Sequence, residues 1–372
     1  MTAQTTSMLK STPWLYLLGG LPVGVIQNGI AFFLLIYYNQ VLGLDPILAA
    51  TALAIALVSD AISDPLVGFI SDNWRSRWGR RLPFLFFAII PTALTYHLIW
   101  NPPEMAREGV LFWHLLTMAI LLRTSMTVFD VPHNALNAEL TPDYHARTSL
   151  ANYKVAGVQI AGYLMVIAMY SIWLQPTDTD PSGVLNKDGY QSAGMIGAII
   201  ILVSMFLAAL TLRKRANPGS SIYHEESLKP RAFLSQLNGS LKVKSFRALL
   251  LAGVFSAVGT GLFIAMWAYV MSYFWELNAD ETSYILLANF LGALIGGISG
   301  PYLLTRNNKR NSAIALSLLF LLVGAAPYVL RFADLLPANV AADLLICLAI
   351  HGVFQFMISV LLTVFVASMT SD

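Results

Sequence analysis

A chain of 372 residues that is 57% apolar and 11% charged, with a mean hydropathy of +0.66, is not built like a soluble domain, in which about a quarter of residues carry charge. Its net charge of +2 offers no footprint for nucleic acid, and its single cysteine, Cys347, excludes a disulfide framework and a thiolate metal site. Repeated apolar runs of membrane-spanning length put it in the polytopic membrane class.

The polar start leads into a long apolar segment with no small-residue cleavage site, which reads as an uncleaved first helix. Apolar runs lie near 14–38, 46–71, 83–100, 110–136, 150–174, 191–212, 248–275, 282–304, 312–332 and 339–367, predicting ten transmembrane helices. Gly19, Gly20, Gly24 and Gly29 in the first predict close approach of a neighbour, although ordinary glycine usage in membrane helices explains them equally well. With the N-terminus inside, every basic residue falls in an inner segment except Arg107, Arg123, Lys154, Lys187 and Arg331, of which Arg123 and Lys154 lie within helices. The positive-inside rule therefore makes both ends of the chain, including Asp372, cytoplasmic.

The longest polar stretch, 213–247, separates an N-terminal six-helix bundle at 1–212 from a four-helix bundle at 248–372. Phe233, Leu237 and Leu241 share a face there beside Lys242, Lys244 and Arg247, the pattern of an interfacial helix; a solvated linker is the plainer reading. Helix 2 passes through Gly68 and Asp72 into an arginine-rich turn, and helix 8 passes through Gly300 and Pro301 into TRNNKR. That echo predicts two related halves with a binding site between them. Six helices then call for six partners, so the second bundle is expected to lack two.

Chemistry concentrates in DAISDPLVGFISDNWRSRWGRR, from Asp60 to Arg81. Asp60 and Asp64 share one face of helix 2, and each costs roughly 2.5–3.5 kcal/mol at the centre of a membrane helix. Asp130 of helix 4 falls at the depth of Asp64, with Asp60 about one turn deeper. If helices 2 and 4 are neighbours, three carboxylates converge, and they must hold a cation, share protons or meet a base. Thr127 adds a hydroxyl one turn from Asp130. The alternative is a static network neutralised by Arg123 or Lys154. Gln27, Asn28, Asn134, Asn152, Gln159 and Asn289 are further polar groups at membrane depth, together able to line a cavity for a polyhydroxyl ligand, singly more typical of interhelical hydrogen bonds. His133 reads as a proton shuttle or as a packing histidine, and the role of His351 stays open. Asp72, with Arg75, Arg80 and Arg81 of the turn, forms a candidate cytoplasmic latch, or else the arginines only set topology. No phosphate loop, nucleophile elbow or metal-protease motif suggests an enzyme.

GFISD followed by RWGRR resembles the loop signature between helices 2 and 3 of the major facilitator superfamily. The longer form, with FDVPHNALNAELTPDYHARTSL and SMTSD, is similar to the glycoside–pentoside–hexuronide:cation symporters, the family of the melibiose permease. The resemblance implies an all-α major facilitator fold and symport of a sugar or glycoside with Na+ or H+ by alternating access. It implies a coupling-cation site at Asp60, Asp64 and Asp130 assisted by Thr127, and solute contacts from Asp130 and Lys154. Gln27, Asn28, Asn134 and Asn152 complete the expected solute lining. The chain departs from the melibiose permease at Gly24, where that protein has an acid, and at Asn134, where it has a tryptophan. Family members have twelve helices. The expected partners are a small solute and the bilayer, with no cofactor beyond the cation, for a monomer in a bacterial inner membrane. The alternatives are a symporter of lysolipids or other amphiphiles, and a truncated membrane protein that does not transport.

Overall fold

A computed structural model describes residues 16–104, 107–140, 144–177, 183–213, 244–304, 309–336 and 342–370. Among these residues there are helices and no strands, and each predicted apolar run falls on one helical stretch. In chain order they are α1 (Leu21–Gly29, prolonged by π turns at Ile30–Leu34 and Tyr37–Val41), α2 (Pro46–Asn73), α3 (Leu82–Trp100), α4 (Glu108–Leu140) and α5 (Tyr144–Ala168, then a π turn at Met169–Trp173). They continue as α6 (Lys187–Arg213), α7 (Lys244–Tyr269, then a π turn at Val270–Phe274), α8 (Ala279–Leu304), α9 (Lys309–Phe332) and α10 (Ala342–Thr370). Seven helices among the described residues are long and apolar enough to cross a membrane. The face at Phe233, Leu237 and Leu241 lies outside the described residues.

Two compact units divide the chain, one from Met1–Met165 and Lys187–Ala268, the other from Val166–Asn186 and Tyr269–Asp372. This differs from a division into 1–212 and 248–372.

In the first unit α2 packs on α4, and α3 packs on both α4 and α6. The tightest seam joins α1 to α5. A Cβ at Gly20 would lie 2.1 Å from the Lys154 carbonyl oxygen, one at Gly24 2.2 Å from that of Val158, and one at Gly157 2.3 Å from that of Leu17. Helices in lipid gain little from the hydrophobic effect, so close backbone approach supplies the attraction instead. Gly19 and Gly29 likewise meet His133 and Tyr96. At the far end of α1, the hydroxyls of Tyr37 and Tyr38 donate to the carbonyls of Trp100 and Ile99 at 2.9 and 2.8 Å. Those are last-turn carbonyls of α3, which the helix itself leaves without partners.

In the second unit α8 packs on α10, with Gly292 and Gly296 against the backbone of Val353 and Met357. Pro327 interrupts α9 and removes the N–H that would bond Val323. His351 of α10 donates Nε2–H to that carbonyl at 3.0 Å, which gives this histidine a structural role.

The α1–α2 and α7–α8 junctions are built alike. Leu42 and Leu44 donate to Tyr37 and Tyr38, and Trp275 and Leu277 donate to Val270 and Met271, at 2.9–3.0 Å. A left-handed residue follows each π turn: Gly43 at φ 78° and Glu276 at φ 56°. Each next helix then receives an N-cap. Asp45 accepts from Ile47 N at 2.7 Å, and Asn278 forms a reciprocal capping box with Glu281.

Candidate functional site

Helices α2 and α4 run parallel in sequence register, and their contacts recur every four residues. Asp60 Oδ2 meets Arg123 Nη1 at 2.5 Å, and Thr127 Oγ1 donates to Asp64 Oδ1 at 2.8 Å, both at a separation of 63 residues. Gly68 faces Val131 at the same offset, with room for ordinary van der Waals contact. A shared face that repeats each turn produces this ladder. Asp60 and Arg123 are each 24% exposed, so the pair is partly shielded from water. Asp64 is exposed and has no basic partner among the described residues.

Asp130 belongs to a different cluster. Lys154 Nζ from α5 bonds Asp130 Oδ1 and also Asn134 Oδ1 at 2.6 Å, while Asn134 Nδ2 donates to Asp130 Oδ2 at 2.9 Å. Three residues after Thr127 are a net offset of about 60° around α4, and the partners of Asp130 come from α5 and from α4 itself. The 63-residue register sets Asp64 level with Thr127 and leaves Asp130 about 4.5 Å further along α4, so the expected match in depth does not hold, and among the described residues no group of three acid, histidine or cysteine side chains could hold a metal ion. Both basic residues that sequence weighed as neutralising partners are engaged, Arg123 by Asp60 and Lys154 by Asp130.

Of the remaining lining candidates, Gln27 is exposed, and Asn28 donates to its own helix at Gly24 O, 3.0 Å, while lying against Gly162 of α5. The side chain of Asn152 lies outside the described residues. The imidazole of His133 is buried against Gly19, between the rings of Tyr16 and Phe129, and neither ring nitrogen has a hydrogen-bond partner among the described residues. The Tyr16 hydroxyl donates to the His133 carbonyl at 2.5 Å, a contact that sequence did not indicate. Asn289 of α8 is buried with its amide against Gly352 of α10.

At the α2 end of the arginine turn, Asp72 Oδ1 receives Arg81 Nη2 at 2.7 Å and Nε at 3.1 Å. Arg81 Nη1 also donates to the Ala135 carbonyl of α4 at 2.6 Å. One buried guanidinium thus joins the end of α2, the start of α3 and α4. Arg75 is exposed, and Arg80 is half-buried. Trp78 in the turn lies beneath the guanidinium of Arg213, 4.8 Å from its ring centre.

The sequence profile described as MFS/sugar transport protein matches residues 15–372. An uncharacterized symporter of Synechocystis is 29% identical over 55% of this chain and 38% of its own length. The sodium-dependent lysophosphatidylcholine symporter 1 of Gallus gallus is 28% identical over 80% of this chain and 60% of its own. YagG of Escherichia coli, named as a glycoside/cation symporter, is 24% identical over 84% of this chain and 66% of its own. The chain therefore spans less than two thirds of each of these relatives. Among solved structures, the partially occluded inward-open xylose transporter XylE of Escherichia coli superposes with a TM-score of 0.60 at 15% identity, covering 98% of this chain and 87% of that one. That likeness establishes a shared fold.

Proposed function

The chain belongs to the MFS/sugar transport protein family, and from that membership we propose that it is a secondary active transporter coupling a cation to a sugar or glycoside by alternating access. The ten helices span the membrane with the N-terminus in the cytoplasm. The observation that carries the coupling is Asp64, an acid inside an apolar helix with a hydroxyl partner in Thr127 and no base among the described residues. Intramembrane acids are costly and persist where they serve a pathway. Asp130, Asn134 and Lys154 form a second polar cluster whose amide and charged groups match the hydroxyls of a sugar. The Asp72–Arg81–Ala135 knot holds the cytoplasmic ends of α2 and α4 in one block during the transition.

Proteoliposomes test this with labelled melibiose, xylose and lysophosphatidylcholine under imposed Na+ or proton gradients. Wild-type protein accumulates one of them against its gradient, and Asp64→Asn falls to the level of passive equilibration. Accumulation that remains fully driven in Asp64→Asn removes Asp64 from the coupling site.

A lysolipid or other amphiphile is the second reading, favoured by Gly24. The melibiose-like acid is not merely absent there, because any side chain would strike the Val158 carbonyl. The same panel separates the two: uptake of lysophosphatidylcholine that free sugars do not compete with selects the amphiphile.

A further inference from the structure

The cation-coupled reading carries with it the expectation of a metal-ion site at Asp60, Asp64 and Asp130, and the residues present do not fit one. A hard cation such as Na+ needs several oxygens converging without a fixed positive charge among them. Here Asp130 is answered by Lys154, and Asp60 by Arg123. Among the described residues the Asp60–Arg123 contact is a single bond between Oδ2 and Nη1, and Asp60 Oδ1 and Arg123 Nε are buried without partners. Arginine stays charged at any pH a cell meets. Its guanidinium is anchored one turn along α4 from Thr127, the residue that bonds Asp64. Among these acids in the described residues only the Asp64 carboxylate, with the Thr127 hydroxyl on it, has no basic partner, and it lies beside a tethered cation that repels an incoming ion.

We infer that Arg123 is the resident cation of the α2–α4 interface: it takes the place a metal ion would hold between the two acids of α2, and it closes this site to Na+. The tethered group has the advantage over an ion in solution, because its effective concentration beside Asp60 is set by the fold. Displacing it would strand a partly shielded arginine without its counter-charge. The transport consequence, that a Na+ gradient does not drive the protein, rests on the symport reading; the binding claim is tested without any transported solute.

Saturable binding of radioactive sodium is measured on the purified full chain in detergent, with choline as the replacement ion. Wild-type protein is expected to show none, Arg123→Gln to gain a saturable site, and Arg123→Gln combined with Asp64→Asn to lose it again. Saturable Na+ binding to the wild type overturns the inference. Absence of binding in both the wild type and a folded Arg123→Gln protein also overturns it, because Arg123 would then not be what excludes the ion. Should Arg123→Gln fail to fold, Arg123→Lys keeps the charge and is expected to bind no Na+; a gain there refutes the tethered cation. A reconstituted wild-type chain that moves no solute under any gradient would defeat the symport reading and leave these binding results as they stand.

Discussion

Lys154 is 9% exposed while its partner Asp130 is 30% exposed, and this asymmetry decides what each residue costs to lose. Asp130→Ala strands an ammonium in a buried pocket, whereas Lys154→Ala leaves a carboxylate that is less enclosed and still receives the Asn134 amide. Breaking a buried pair costs about 3–5 kcal/mol, so Asp130→Ala should destabilise by about 3 kcal/mol and Lys154→Ala by about half of that. The double substitution should cost less than the two together. Thermal unfolding of the detergent-solubilised proteins reads all three, and a Lys154→Ala protein less stable than Asp130→Ala would reverse the assignment. Depth read from sequence is counted from an assumed helix end, which sets Asp64 and Asp130 at one level, whereas the α2–α4 register pairs Asp64 with Thr127, three residues earlier. The direction each side chain faces depends on which neighbour lies beside it, and only packing supplies that. His133 is a similar case, since a ring wedged against Gly19 cannot be told from a shuttle by its position in the chain.

At the scale of the helix, the two junctions that follow π turns solve one problem with different residues. Gly43 takes the left-handed conformation without penalty, while Glu276 takes it with a side chain attached. A non-glycine residue there costs about 1–2 kcal/mol, so Glu276→Gly should raise the thermal stability of the solubilised protein by about 1 kcal/mol. A lower midpoint would mean that the Glu276 side chain makes a compensating contact. The repeated halves were visible in sequence only as a faint echo around Gly68 and Gly300. The hydrogen-bond pattern carries the likeness far better, because backbone geometry persists where side chains have diverged. With Leu44 aligned on Leu277, the positions of Asp60 and Asp64 fall on Ala293 and Gly297. The second half thus has small residues where the first has its acids, and α8 closes on α10 through glycine where α2 meets α4 through charge.

For the molecule as a whole, helix existence was the most legible property, because long apolar runs permit little else in lipid. What sequence left undecided was whether glycine in the first helix marked contact or habit. Gly20, Gly24 and Gly157 answer that at 2.1–2.3 Å between a would-be Cβ and a backbone oxygen. The consequence is genetic. Any missense change in a glycine codon introduces at least one carbon on Cα, so these codons have no mild neighbours: alanine and serine are refused for the same reason as aspartate. In a saturation library scored for membrane-inserted, folded protein, these three codons should be blank apart from synonymous changes. The adjoining codons for exposed residues, Val155 among them, should accept most apolar replacements. Tolerance of alanine at Gly24 would show that α1 and α5 stand further apart than their backbones imply.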